Sequence, residues 1–342
     1  NVALLELVVR LFDTTKELAE ETTPTLKSKG KGTGSGQDSR AKVVSSKSKA
    51  LEPAANELRS LIELILGDYL NSIAKAFEIV LAEMHRENFA NGSGEVSLLS
   101  ESAVDPSAYM EVFINTLAQI SSEHLDKLPN QYKIVRSFRA HLRDRVVVLF
   151  LRHVCMVRPL DQSGRSRLLR DLDVFEASIK VIAPHDEVED ENKNTEKKLP
   201  NDSYDWVAAI EAIRKLLRIN PSSNEAMQSF EKLKQEGEVR LPYMLLYAFS
   251  SAPHELRSPH DQLKTTPERF CEWMDKAERA ESKEGIQLLQ SGTLRSRSLE
   301  AAMKDLISEE VDKYMQRLSV KPELKNNENA TDAHKLVSSL II

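Results

Sequence analysis

The chain has 342 residues, with 53 acidic against 47 basic side chains and a formal net charge of −6; the length gives room for two domains at about 150 residues each. The acidic balance argues against a general nucleic-acid binder, which carries a basic excess. Two cysteines, Cys155 and Cys271, exclude a disulfide framework and point to a reducing compartment. The longest strongly apolar run, Val146 to Leu151, falls far short of the ~20 residues of a membrane span. The chain opens on Asn1-Val2-Ala3 rather than on methionine, which points to a piece of a longer protein. Seven of the 11 glycines precede residue 95, so the long C-terminal part lacks the clustered glycines of a phosphate-binding turn. With aromatics at 6% and little strand-like alternation, the composition predicts helices.

In chain order, residues 1–21 read as one amphipathic helix, with Leu4, Val8, Leu11 and Leu18 on a stripe that weakens at Thr15. Residues 22–50 hold four glycines, seven basic residues and one acid, which predicts a disordered basic linker. Its GKGTGSG run lacks the spacing of a phosphate loop. A first helical domain is expected over 51–183. It opens with a seam of Ile62, Leu66, Tyr69, Ile73, Phe77, Val80 and Met84 at helical spacing. Asp105 as cap and Pro106 in the first turn predict the next helix, with Met110, Phe113, Leu117 and Ile120 inward. Two more helices follow, over about 131–157 and 163–182, the second with Leu168, Leu172, Phe175 and Ile179 on its stripe.

Residues 184–203 carry seven acids against three lysines and read as an acidic linker. A second helical domain is expected over 204–320. Trp206, Ile210, Ile213 and Leu217 mark its first helix, and Ser222 with Glu225 fits a capping box for a second. Pro242 and Pro267 start two more, the latter carrying Phe270, Trp273 and Met274. Met303, Leu306, Val311, Tyr314 and Leu318 mark the last helix, and 321–342 reads as a frayed tail. With no fixed-period repeat, the expected architecture is all-α, an elongated stack of antiparallel helices.

Little in this chain suggests chemistry. His254 and His260 flank Glu255 at a spacing unlike HExxH, and the acids after His185 lack EF-hand spacing. Both read as loops. Cys155 reads as a buried small hydrophobe, with His153 on a different helical face. The sequons at Asn91 and Asn329 matter only in a secreted chain. No nucleophile, base and orienting group assemble into a set, so no catalytic residue, metal or cofactor is expected. One charge feature stands out. Residues 133–170 hold ten basic residues and two acids, and Arg136, Arg139 and Arg143 share one helix face. Such a face suits an acidic partner or anionic headgroups, or is a solvated face paired with the protein's own carboxylates. The large apolar residues among its arginines, Phe138, Leu142 and Val146, suit an internal or subunit packing face more than a headgroup stripe.

Three runs resemble one family. LFLRHVCMVRPLDQSGRSRLLRDLDVFEASI, residues 149–179, matches an LFxRHxxxxRPL…G[RK]xRL pattern through Arg152, His153, Arg158, Pro159 and Gly164. Residues 242–275 match an apolar helix followed by APxELxSP and RFxxW, through Pro253, Glu255, Pro259, Phe270 and Trp273. Residues 82–89, AEMHRENF, are similar to an MHxEDF element, with Asn88 in place of the acid. In this order the runs resemble the C-terminal region of the subunit-five family of the conserved oligomeric Golgi (COG) tethering complex.

The resemblance implies a helical rod of the multisubunit-tethering type, with no catalytic residues. It implies sister COG subunits as partners, Golgi SNAREs and small GTPases as further ones, and no nucleic acid. It places the protein at the cytoplasmic face of the Golgi membrane, held peripherally through the complex, in capture of retrograde vesicles. The motifs read as corners between helices, with Arg152 and Arg158 capping carbonyls at the end of their own helix. A different class of function, a phosphoinositide-binding membrane adaptor, would use the basic 133–170 region.

Overall fold

The structure, a computed structural model, describes residues 7–12, 14–15, 37–90, 106–130, 132–183, 205–221, 223, 225–237, 239–250, 252, 256–281, 299–320 and 337–340. Among these there is no strand, only an isolated bridge between Phe89 and Leu160. The all-α class read from the sequence holds. The helices are α1 (Gln37–Ala82), α2 (Ala108–Glu123), α3 (Lys133–Met156), α4 (Gln162–Ile179) and α5 (Trp206–Arg218). They continue with α6 (Ala226–Glu236), α7 (Leu241–Ala248), the single turn α8 (Pro259–Gln262), α9 (Pro267–Glu281) and α10 (Leu299–Val320). No described helix is long and apolar enough to cross a membrane.

The chain forms two compact units, one of Asn1–Lys75, Ala118–Leu142 and Ile182–Pro184, the other of Ala76–Leu117, Arg143–Val181 and His185–Ile342. In the first, α1 buries Ile62, Leu66, Leu70 and Ile73, while Ile120, Leu125 and Val135 supply further core. The Tyr69 hydroxyl and His124 Nδ1 share a 2.8 Å hydrogen bond, which keeps Tyr69 at the edge of the seam. Val8 and Val9 are buried, whereas Leu11, placed on the inward stripe by the sequence, is 49% exposed. The buried positions of this segment are adjacent, so its inward face is offset from the 3–4 spacing of the leucines.

The second unit is organised around aromatic rings. Phe77 of α1 lies 5.4 Å from Phe113 of α2, and Phe113 lies 5.2 Å from Phe175 of α4. Phe175 in turn stacks on Phe150 of α3 at 3.9 Å between centroids. The stripes of Leu168, Leu172, Phe175 and Ile179 and of Trp206, Ile210, Ile213 and Leu217 are buried as their periodicity requires. Helix α7 is apolar all round and buries every residue from Pro242 to Ala248, and α10 packs against α7, α8 and α9.

Several expectations differ from the structure. Helix α1 begins at Gln37, so residues 37–50 are helical rather than linker. The four glycines at 30, 32, 34 and 36 all precede it, and the residues beyond them carry no helix breaker until Pro53. Residues 22–36 and 184–203 lie outside the described residues. Helix α6 starts at Ala226 with Glu225 as cap residue, and Ser222 of the expected capping box lies outside the described residues. Asp105, the expected cap of α2, also lies outside the described residues. Within the tail, Val337 and Leu340 are buried in a helical turn, so that part is not frayed.

Phe77 is fully buried and begins the ring series. Phe77→Ala should lower the unfolding free energy by about 3–5 kcal/mol, the usual cost of removing a buried aromatic ring. Denaturant titration followed by far-UV circular dichroism measures it, and a loss below about 1 kcal/mol would detach Phe77 from the cooperative core.

Candidate functional site

The three motif runs lie in the second unit and meet one another there. Helix α3 ends at Met156, and the chain turns through Arg158-Pro159 into α4. At this corner the Leu160 amide donates to the Ser250 carbonyl at 3.0 Å, and the Asp161 amide to the Phe89 carbonyl at 3.2 Å. The Asp161 carboxylate caps α4 by accepting from the Gly164 amide at 2.8 Å. A side chain at 164 would be excluded, because a Cβ there would lie 2.0 Å from the Phe89 carbonyl oxygen. Gly164 of the second run is thus dictated by Phe89 of the first.

The arginines of the second run bind the third. Arg152 has no exposed surface, and its guanidinium donates to Asp275 at 2.6 Å, to Glu278 at 2.8 Å and to the Cys271 carbonyl at 3.3 Å, all on α9. Arg145 grips the same Asp275 through both carboxylate oxygens, with Nη1 to Oδ1 at 2.6 Å. Arg158 donates to the carbonyls of Ala252 at 3.1 Å and Leu256 at 2.9 Å. Neither Arg152 nor Arg158 therefore serves the end of its own helix as the sequence suggested. A guanidinium on a long stem reaches a neighbouring element, where orphan carbonyls and carboxylates need a donor.

Pro259 opens α8, and Phe270 stacks on Trp273 with centroids 5.2 Å apart. Pro253 and Glu255 lie outside the described residues, as does His254. On the other flank, Asp171 of α4 accepts from the Ser107 amide at 3.0 Å, the Ser107 hydroxyl at 2.6 Å and the Tyr109 hydroxyl at 2.9 Å. Glu87 of the first run accepts from the Tyr109 amide at 2.8 Å and pairs with Arg167. The Arg167 guanidinium lies over the Phe89 ring, 4.7 Å from its centroid.

The expected basic face is largely internal. Arg139 is 3% exposed and donates to the Ile182 carbonyl at 2.7 Å and the Asn130 side chain at 2.6 Å. Arg143 is 7% exposed, pairs with Asp144 at 3.0 Å and lies over the Trp206 ring at 5.3 Å. Arg136 is half-buried. Helical spacing put the three arginines on one face, and the burial of Arg139 and Arg143 agrees with the packing face that the interspersed apolar residues suggested.

Under the corner sits a group that sequence reasoning missed. The imidazoles of His85 and His153 share a 2.9 Å hydrogen bond between Nε2 and Nδ1, and His153 Nε2 lies 3.9 Å from Cys271 Sγ. Glu78 offers a carboxylate oxygen within 4.8 Å of both His153 and Cys271, and all three residues are buried. Burial, with His153 and His260 adding to it, drives the His85 pKa down to about 3, so the imidazole stays neutral. Burial likewise pushes the Cys271 thiol up to about 12. A thiol so buried and protonated is no nucleophile toward an external substrate. Each motif run supplies one member, His85, His153 and Cys271, and that shared membership was the available signal. Cys155, closer in sequence to His153, is buried and free.

The fold is thus an all-helical one whose motif residues join helices. No family model matches the chain, and no solved structure matches it. Among curated proteins it is similar to "Conserved oligomeric Golgi complex subunit 5" of Drosophila melanogaster, 28% identical over 220 residues, which is 63% of this chain and 25% of that protein. The mouse protein of the same name is 24% identical over 243 residues, 68% of this chain and 26% of its own. That of Arabidopsis thaliana is 20% identical over 220 residues, 61% and 23% of the two chains. The resemblance read from the three runs is therefore matched by similarity over most of the chain. The chain spans about a quarter of the length of the curated relatives it matches.

Burial opposes ionisation of Asp275, but the Arg145 hydrogen bonds and the Arg152 and Arg145 charges outweigh it and hold its pKa below the ordinary 3.8. A carboxylate depressed in the folded state stabilises the fold above its unfolded pKa, and the gain is lost as pH falls through the folded value. Asp275→Asn should cost about 3 kcal/mol at neutral pH, the loss expected when a buried guanidinium is left short of an anion. In denaturant titrations the difference from wild type should shrink as pH drops below 3.8. A difference that stays constant through the acid range would mean that Asp275 does not act as the anion at this junction.

Proposed function

We propose that the chain is a non-enzymatic, helical subunit of the Golgi COG tethering complex, acting as a scaffold at the cytoplasmic face of the Golgi membrane in retrograde transport between Golgi compartments. The observation that carries this reading is the similarity to three relatives named as subunit 5 of that complex. The packing of the motif runs supports it. Arg152, Arg158 and Gly164 are spent on joining helices, and the Cys271–His153 contact is closed to solvent. In this reading sister COG subunits are the direct partners, Golgi SNAREs and small GTPases are reached through the assembly, and membrane attachment is peripheral.

The corner residues Arg152, His153, Arg158, Pro159, Gly164, Pro253, Glu255, Pro259, Phe270 and Trp273 act structurally, by fixing the faces that partners meet. The membrane-adaptor alternative needs the arginines of 133–170 to face lipid, and the burial of Arg139 and Arg143 weighs against it.

Affinity purification of the full-length protein from its own cells should recover sister COG subunits in stoichiometric amount. Recovery without any of them would overturn the reading. In liposome flotation the isolated chain should stay with the soluble fraction when the vesicles carry anionic lipid. Strong flotation that is lost with added salt would instead mark a headgroup-binding adaptor.

A further inference from the structure

We infer that Glu78, His153 and Cys271 form a zinc site that ties α1, α3 and α9 together in the second unit. This goes beyond membership of any assembly and does not depend on it. The three side chains come from three helices and present an oxygen, a nitrogen and a sulfur whose ligand atoms all lie within 4.8 Å of one another. Zinc bonds of about 2.0–2.1 Å to nitrogen and 2.3 Å to sulfur, at a tetrahedral angle, put the two ligand atoms about 3.5 Å apart. His153 Nε2 and Cys271 Sγ stand at 3.9 Å, so this pair needs a contraction of only about 0.4 Å, and the Glu78 carboxylate, within 4.8 Å of both, closes in by side-chain rotation.

The surroundings fit as well. A ligating imidazole uses one nitrogen for the metal and fixes its ring by a hydrogen bond from the other. His153 has this division of labour: Nδ1 meets His85 Nε2 at 2.9 Å while Nε2 faces the cluster. With His153 Nδ1 donating its hydrogen bond to His85 Nε2, the His153 Nε2 lone pair is left for the metal. A thiolate with an imidazole selects zinc over the hard cations magnesium and calcium. Charge also balances. Zinc displaces the Cys271 thiol proton to solvent, and a thiolate, a carboxylate and a dication sum to zero in a site with almost no exposed surface. Glu78, His153 and Cys271 supply three ligands, and a water molecule takes the fourth tetrahedral position.

Arg152 does not compete for these groups, because its guanidinium is directed to Asp275, Glu278 and the Cys271 carbonyl. The site differs from a catalytic zinc centre in its closure. His153 and Cys271 have no exposed surface, and an ion there would act on stability.

The test uses the full purified chain. Elemental analysis should find about one zinc per chain, as a single closed site requires. After chelation and refilling with cobalt, the visible spectrum should show tetrahedral bands and a thiolate-to-cobalt charge-transfer band. That band should persist in Cys155→Ser and vanish in Cys271→Ser, with His153→Ala losing the metal too. Wild-type protein that is isolated without zinc and takes up none in equilibrium dialysis at micromolar zinc overturns the proposal, whether or not any variant folds. So does a cobalt complex of the wild type without a thiolate band, or one whose band disappears in Cys155→Ser instead.

Discussion

A guanidinium with no exposed surface cannot be left without anions, and Arg152 sets the terms for the second unit. Taking an arginine out of water costs several kcal/mol before any partner is counted. Its fork must then be filled in fixed geometry, and Asp275, Glu278 and the Cys271 carbonyl fill it along one face of α9. That requirement dictates the register of α9 against α3. Once it is set, Phe270 and Trp273 fall on the other side of α9, and Cys271 falls beneath His153. Arg145 then adds a second cation to Asp275, so one carboxylate holds two arginines seven residues apart on α3.

The second corner depends on backbone rather than charge. Phe89 and Leu160 approach so closely that Gly164 must lack a side chain, and Asp161 both caps α4 and donates its amide to Phe89. Charge and close approach therefore act on successive parts of one segment. Arg152 fixes where α3 lies against α9, and Gly164 fixes how α4 leaves it. Arg158 between them holds the loop before α8 by two carbonyls. Such corners explain why arginine, proline and glycine recur in these runs: each does a job that a similar residue does poorly.

The apolar stripes were legible in the sequence because burial of a helix face imposes a period. Ile62, Leu66, Ile73, Phe77 and Met84 are all buried as that period requires. Residues 37–50 were not legible, because a helix without an apolar seam is indistinguishable in composition from a polar linker. The partners of the arginines were not legible for a related reason. Charge is normally placed on the surface, and nothing local to Arg139 or Arg152 announces a carbonyl at Ile182 or a carboxylate at Asp275. The His153–Cys271 contact spans 118 positions, and only the fold brings the two together. Order and content of the motif runs were visible, but their mutual packing was not.

The internal placement of these charges changes how substitutions in 133–170 must be read. Replacing Arg139 or Arg143 by an acid would put an anion among carbonyls or beneath an indole ring, and the first consequence is loss of folded protein. Any loss of partner binding that accompanies it then says nothing about where the partner sits. Arg170 is different, because it is exposed on α4 and a reversal there leaves the core untouched. A contact surface on this chain is therefore to be mapped from exposed positions such as Arg170. The buried arginines report whether the scaffold that presents those positions has formed.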